Sequence, residues 1–535
     1  MATIADKIKK LLAQIGGVAV VDEESPNALK LIEEATQRSA IYELGSFVLS
    51  QNDSVRQAAI AAVQGILSQA SPPQLAKLDL LMREISPYLG ANRAPWFQLT
   101  AADLGQLESR EEFSLSLLGL ASFHYSGYVR ELAIRRLLLR QDGGELPFLL
   151  IRLNDWVEPV RQVAEQAAYK RLRVDYAQHW VANLALLHRL LQAERREHKP
   201  MVEAVFSLLR QPECCVALTE GLTDKDTQTR KLCFGLVAEA APDRLREWVR
   251  LAFDDSNPGI RLWGAHQVAT GMDASELAPF LEKMLCDRSM PVRREALRML
   301  ADKFSNQARE TLEMALLDSH ASMRWEAAYW LRKGASLDLG DFYRTALSNA
   351  DNRHLLGAVG GLGENGRKED AALVLPYVSH DQSKVRRQAL RALSHLAAVD
   401  YLDVFLAKLT DPSPPVSREA GRTVAGKIRL VQRTRLWKIF REERREGIRL
   451  RILYLLSRLP KWESFPFLLQ AAADSDEAVA QNAHRLIHNW IAKFNRQSIP
   501  PSAIQLAKAT QTYAICKAAL SAETQRTLEF YLKEN

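Results

Sequence analysis

Residues 357–366, GAVGGLGENG, place Gly361, Gly363 and Gly366 at the G-x-G-x-x-G spacing that lets backbone N–H groups approach a dinucleotide pyrophosphate. Asp381 follows Gly361 by twenty positions, about where a ribose-binding acid would stand. Such a loop works only after a β-strand and at the start of a helix. The preceding RHLLGAV reads as helix, so the glycines are assigned to helix closure, where a left-handed residue is favoured, together with Gly271 and Gly334. No cofactor is expected. His484 and His488, four apart, would share one helix face and offer two metal ligands, but no third ligand accompanies them and no metal site is expected. The 11 histidines occupy no consistent position, and neither a P-loop nor a G-x-S-x-G elbow occurs, so no catalytic residue is assigned.

The elements that carry these residues are set by a repeat. The pairs Val55-Arg56, Val129-Arg130, Val160-Arg161, Thr229-Arg230, Ile260-Arg261, Val292-Arg293, Met323-Arg324 and Val385-Arg386 share one pattern. A small residue follows each arginine by three: Ala59, Ala133, Ala164, Cys233, Gly264, Ala296, Ala327 and Ala389. An aspartate precedes it by six at Asp155, Asp224, Asp255, Asp287 and Asp318, and Pro159, Pro258 and Pro291 mark helix starts. From Arg230 the mark recurs at 261, 293, 324, 353, 386, 417, 449 and 480, a period of about 31 residues; earlier gaps fit two units with an insertion, the missing marks lying near Arg93 and Val202. Each unit reads as two helices, as in LAPFLEKMLCD and PVRREALRMLADKF, and strand alternation is scarce.

This pattern resembles HEAT repeats, and the short period with its D-x-x-x-x-V-R-x-x-A core is most similar to the subtype named after phycobilisome lyases. The resemblance runs from about residue 27 to about 492 and implies an all-α fold: an α-α superhelix, a HEAT-like solenoid of about 13–14 helix pairs. It implies a structural ladder at Arg161, Arg230, Arg261, Arg293, Arg324 and Arg386. Residues 1–26 are expected to form an N-terminal capping helix, 27–492 the solenoid, and 493–535 C-terminal capping helices. No motif for bilin attachment can be carried over, and a bilin-lyase type enzyme with an unrecognised groove site is kept only as an alternative.

The five cysteines lack C-x-x-C spacing and suit buried fillers in a reducing, cytoplasmic setting. No apolar run approaches the roughly 20 residues a bilayer crossing needs, so no membrane partner is expected. Residues 418–458 hold 13 basic residues against four glutamates, a surplus of nine, while the whole chain carries +7. That segment is therefore the chain's charged surface, suited to an acidic protein or, alternatively, to nucleic acid. A second accumulation, MRWEAAYWLRKG, puts Trp325, Tyr329 and Arg332 near one face of a second helix, with Trp263 and His266 two units earlier. The expectation is a non-enzymatic scaffold or adaptor whose partner, a protein with acidic surface as the charge suggests, meets its concave groove and basic patch. The partner-binding candidates are Trp263, His266, Trp325, Tyr329, Arg332, Arg433, Arg435, Arg441, Arg444 and Arg445. The sequence leaves the oligomeric state open.

Overall fold

The repeat resolves into pairs of helices joined by short turns, and every regular element among the described residues is helical. The computed structural model describes residues 41–85, 96, 99–108, 114–193, 197–334, 337–349, 351, 353–431, 433–492 and 500–533. The capping helix expected at 1–26 and the mark near Arg93 lie outside them. The chain divides into two compact units, Met1–Gly271 and Met272–Asn535, and each is a stack of HEAT-like helix pairs.

In the second unit, Ala274–Leu285 packs on Met290–Lys303, Ser305–Ala315 on Ala321–Gly334, and Leu339–Ser348 on Leu355–Asn365. Further on, Leu402–Lys408 packs on Pro414–Gly426, Arg433–Glu442 on Glu446–Ser457, and Lys461–Ala472 on Glu477–Ala492. The second helices also pack on one another in succession, from Met290–Lys303 through Ser383–Ala397 to Glu477–Ala492. Small residues permit this approach: Ala296, Ala327, Ala389, Ala420 and Ala483 are fully buried. Beyond the last pair, Ala503–Cys516 packs on Lys461–Ala472, and Ala522–Lys533 follows it.

The first unit is less regular. Between Arg161 and Arg230 lie four helices, Ala177–Ala182, Leu184–Leu190, Lys199–Leu209 and Cys215–Gly221. Helix Pro72–Ile85 packs against Leu146–Arg152 and Leu184–Leu190, far along the chain. Here Asp79 and Arg83 join a buried ionic cluster with Arg130, Arg152 and Asp155, and the Trp156 ring lies 5.6 Å from both Arg83 and Arg130. Of the five cysteines, Cys214, Cys233 and Cys516 are buried, but Cys286 is exposed at the end of its helix, so it is not a core filler.

One contact recurs through both units. Arg230 donates from Nε and Nη2 to the carboxylate of Asp255, at 2.8 and 3.1 Å, and from Nη1 to the Asp224 carbonyl of its own turn at 2.9 Å. The same 25-residue step joins Arg130 to Asp155, Arg293 to Asp318, Arg386 to Asp411 and Arg449 to Asp474. The aspartates do not cap the helices that follow them. Each accepts the backbone N–H two residues on, as Asp155 does from Val157 at 2.9 Å and Asp411 from Ser413 at 2.9 Å, which shapes the turn while leaving the carboxylate free to receive the arginine. Arg161 and Arg261 donate to the Asp155 and Asp255 carbonyls. Arg324 donates to the Asp318 carbonyl at 2.8 Å but takes Glu364 as its acid, since position 349 is asparagine.

Burial alone would raise the carboxyls of Asp155, Asp255, Asp411 and Asp474. The guanidinium hydrogen bonds and backbone N–H groups outweigh it and hold all four below the usual aspartate range. A depressed folded value stabilises the protein above the unfolded value of about 3.9 and is lost as pH falls through the folded values. The urea midpoint is therefore expected to stay level from neutral pH to about pH 5 and to fall steeply below about pH 4. Arg130→Ala, which removes one of the two guanidinium groups on fully buried Asp155 and leaves Arg152 as the other, is expected to cost about 3 kcal/mol, against about 1–2 kcal/mol for Arg293→Ala at a rung that solvent partly reaches. Equal costs, or an acid limb that stays flat to pH 3, would contradict this account of the ladder.

Candidate functional site

Of the opening glycines, Gly361 and Gly363 lie within helix Leu355–Asn365 and Gly366 caps its end, with no strand before them among the described residues. They are also not left-handed helix ends: among the described residues the only glycine with positive φ is Gly143. That corrects the reading of Gly363, Gly334 and Gly271 as left-handed closures. The reason for glycine at 357–363 is close approach. A Cβ on Gly357 would sit 1.9 Å from the Leu317 carbonyl oxygen, on Gly361 2.0 Å from the Tyr343 ring, and on Gly363 2.4 Å from Ala392 Cβ. The helix is buried along most of its length between its neighbours, so the string is a packing surface on both sides.

His484 is half-buried and His488 exposed on Glu477–Ala492. Among the described residues no three His, Cys, Asp or Glu side chains come together in a way that could hold a metal ion.

Trp325 and Tyr329 are 68% and 52% exposed, and their rings stack at 6.1 Å with an 18° tilt. A turn of helix places them side by side, and neither ring is used by the core. Arg332 is exposed near the end of the same helix. In the other unit, Trp263 is half-buried against Phe234 at 5.3 Å, whereas His266 is exposed.

The basic candidates of the 418–458 segment separate. Arg433, Arg435 and Arg441 lie on the first helix Arg433–Glu442, and Arg444 and Arg445 in the turn after it. Arg433 pairs with Glu463 at 2.9 Å and Arg435 with Asp403, both on neighbouring first helices. Arg445 holds Glu443 at 2.7 Å, pulling that carboxyl down to about 2, and donates to the Thr410 carbonyl at 2.7 Å. Arg441 and Arg444 remain exposed.

A different basic face lies on the second helices. Positions one and five after the repeat marks in the unit Met272–Asn535 are Arg294 and Arg298, Trp325 and Tyr329, Arg387 and Arg391, Arg418 and Arg422, Leu450 and Tyr454, then Gln481 and Arg485; all are exposed except Arg391, which is half-buried, and Leu450, which packs against the core. The buried helix Leu355–Asn365 interrupts the row. Its densest part spans three successive helices. Arg391, on Ser383–Ala397, reaches Glu419 on Pro414–Gly426 at 3.2 Å, and Arg422 reaches the same carboxylate at 2.9 Å. Ser417 occupies the ladder position; its hydroxyl donates to the Leu409 carbonyl and accepts from Arg451 Nη1 of the next repeat. Gly421 makes room for this, since a Cβ there would sit 3.0 Å from Arg451 Cδ. Burial, and then the nearby charge of Arg418, lowers the Arg451 pKa.

Arg391 and Arg422 thus share one carboxylate, Glu419, while Arg451 sits on the adjacent Ser417 within reach of the Arg418 charge, and Arg387 is exposed on the same row. The corresponding positions of the first unit are Gln57 and Ala61, Glu131 and Arg135, Gln162 and Gln166, Lys231 and Gly235, Leu262 and His266. HEAT-like stacking therefore does not require arginine there.

No family model matches the chain, and no curated protein matches it. Among solved structures it is similar to Kap121p, with TM-score 0.34 and 13% identity over 99% of this chain and 66% of that one. It is similar to importin beta, with TM-score 0.33 and 11% identity over 91% and 66%, and to yeast importin-beta (Kap95p), with TM-score 0.32 and 12% identity over 92% and 66%. The chain thus spans 66% of the length of these proteins.

The arginine face was within reach of the sequence, because the 31-residue ruler assigns every residue a place on its helix. Charge surplus along the chain pointed instead to 418–458, a window that mixes first helix, turn and second helix. Reading one register across repeats, rather than one window along the chain, brings Arg387 and Arg391 together with Arg418 and Arg422.

Packing and binding roles for the aromatic and glycine positions are separable by stability. Trp325→Ala and Tyr329→Ala are each expected to change unfolding free energy by no more than about 0.5 kcal/mol, as exposed side chains do. Gly361→Ala, forced against Tyr343, is expected to cost about 1–3 kcal/mol. Nicotinamide and flavin nucleotides are expected to leave the melting temperature unchanged, and a saturable upward shift would restore the phosphate-cradle reading of 357–366.

Proposed function

We propose that this chain is a non-enzymatic scaffold that binds a protein partner through the arginine and aromatic face of its second helices in Met272–Asn535. The observation that carries this reading is the arginine cluster around Glu419. Like charges held together by the fold are unfavourable in isolation, and they become favourable when an acidic surface covers them. Arginine suits the role because its planar fork binds carboxylates in pairs of hydrogen bonds. The exposed Trp325–Tyr329 stack adds the kind of flat, amphipathic anchor that concentrates interface energy. The first-helix arginines serve less well, since Arg433 and Arg435 already hold carboxylates of adjacent repeats.

The test is affinity capture from native lysate with the full chain and two variants. Arg391→Glu/Arg418→Glu/Arg422→Glu is expected to lose a stoichiometric protein partner that the parent retains. Arg309→Gln/Arg353→Gln, which removes exposed charges elsewhere in the same unit, is expected to keep it. Circular dichroism melting of all three establishes that each is folded. Retention of the partner by the triple variant, or recovery of nucleic acid in place of protein, would refute the reading.

A further inference from the structure

We infer that Arg418 and Arg451 together hold one phosphomonoester, a phosphorylated side chain of the protein partner. This rests on the scaffold reading and specifies what the partner carries.

The helices on either side of Pro414–Gly426 each send a guanidinium to it, and the two arrive on opposite flanks. At about 3.6 residues per turn each residue advances about 100° around the helix axis. Ser417 and Gly421 therefore share one flank, exposed Arg418 and Arg422 the crest, and Glu419 the other flank. Arg391 of Ser383–Ala397 meets Glu419, while Arg451 of Glu446–Ser457 passes over Gly421 to meet Ser417.

The flanks differ in charge. On the Glu419 side, Arg391 and Arg422 share a carboxylate at 3.2 and 2.9 Å. On the other side, Arg451 is held by a hydroxyl and not by an acid: Ser417 Oγ accepts from its Nη1 while donating to the Leu409 carbonyl. Neither Arg418 nor Arg451 has a carboxylate partner among the described residues. Arg449, one turn of chain away on the same helix, shows the balanced alternative, since it is paired with Asp474. Arg451 is moreover half-buried. Burial and the Arg418 charge both disfavour its cation, which is why its pKa is lowered. An anion set between the two guanidinium groups relieves that repulsion.

Two adjacent positive charges select a compact ligand with two negative ones. A phosphomonoester carries about −1.5 to −2 at neutral pH on three acceptor oxygens, enough to meet a planar fork from each arginine. A carboxylate brings a single charge, and Glu419 shows the result, because it leaves its two arginines in net positive excess. The phosphodiester of a nucleic acid also brings a single charge at each phosphate. Arg451, with its stem laid along Gly421, is the preset donor, and exposed Arg418 is the one that can adjust.

Fluorescence anisotropy with the full chain tests this, using labelled glycine–serine peptides of equal length that carry one phosphoserine, two adjacent glutamates, or neither. The phosphoserine peptide is expected to bind about tenfold tighter than the diglutamate peptide, the difference that one well-placed charge-assisted contact supplies. Arg418→Gln and Arg451→Gln are each expected to remove that preference, and Arg309→Gln, an exposed charge elsewhere in the same unit, to retain it. Melting curves establish that each variant is folded, and exposed Arg418 decides the matter alone if Arg451→Gln is not. Equal binding of the phosphoserine and diglutamate peptides, a preference untouched by Arg418→Gln, or tighter binding of oligo-dT than of the phosphoserine peptide would each overturn the inference. Phosphatase treatment of the lysate is expected to abolish capture of the partner by the parent chain; capture that survives it would make free phosphate the ligand and overturn the inference as well. If the peptides show no preference while the parent chain still captures a protein that Arg391→Glu/Arg418→Glu/Arg422→Glu loses, the scaffold reading survives and the phosphorylated ligand does not. A parent chain that captures no protein sinks the scaffold reading and this inference with it.

Discussion

Arg130, Arg230, Arg293 and Arg386 each satisfy two turns at once, closing their own through a backbone carbonyl and the next one through an aspartate carboxylate. A helix pair cannot bury both of its apolar faces alone, so it is stable only in register with its neighbours. Apolar contacts supply the bulk of that stability but are tolerant of sliding. The guanidinium is not, because its fork meets a carboxylate that is itself fixed by the N–H two residues on, as between Arg230, Asp255 and Asn257. Register follows from the ladder, and the outward positions of the second helices follow from register.

That dependence explains how much of the fold could be read from the sequence. An arginine six residues after its aspartate, repeated at about 31, places the next aspartate 25 residues on, which is the spacing of the pairs from Arg130–Asp155 to Arg449–Asp474. The helix pairs and their small buried residues were legible for the same reason. What stayed hidden were contacts with no period. Helix Pro72–Ile85 meets Leu184–Leu190 through a long-range packing choice that no local pattern signals, and the ionic cluster of Asp79, Arg83, Arg130, Arg152 and Asp155 forms only because that helix arrives. The glycines of 357–363 were located on a second helix correctly, but their cause was not. Chain-end conformation and close interhelical approach both select glycine, and only coordinates separate them.

The candidate site was legible in part. Trp325 and Tyr329 stood out because large aromatics beside a helix mark are conspicuous in a string of letters. Arg387 and Arg391 did not, since arginine is the commonest base in this chain and the ladder had already given it a structural role. Density along the chain is a poor guide to density in space when successive helices face different ways: Arg433 and Arg435 contribute to the same charge window as Arg418 and Arg422, yet their charges are spent on Glu463 and Asp403.

The ladder and the arginine face use one side chain in two electrostatic settings, and the difference explains why one is architecture and the other is available to a ligand. Asp255 and Asp474 each meet one guanidinium at a turn where a backbone N–H completes the carboxylate, so the rung is neutral and closed. Glu419 meets two guanidinium groups, Arg391 and Arg422, with Arg418 and Arg451 close by, so the balance remains positive and open toward solvent. Ser417 is the point where the two systems diverge. Had the ladder arginine stood there, its own turn would hold it, and Arg451 would have no hydroxyl to reach. Serine leaves the rung to its neighbour, and Gly421 clears the path for the Arg451 stem. A break in the repeat at one residue thereby brings the Arg451 guanidinium of the next repeat onto the helix that already carries Arg418 and Arg422.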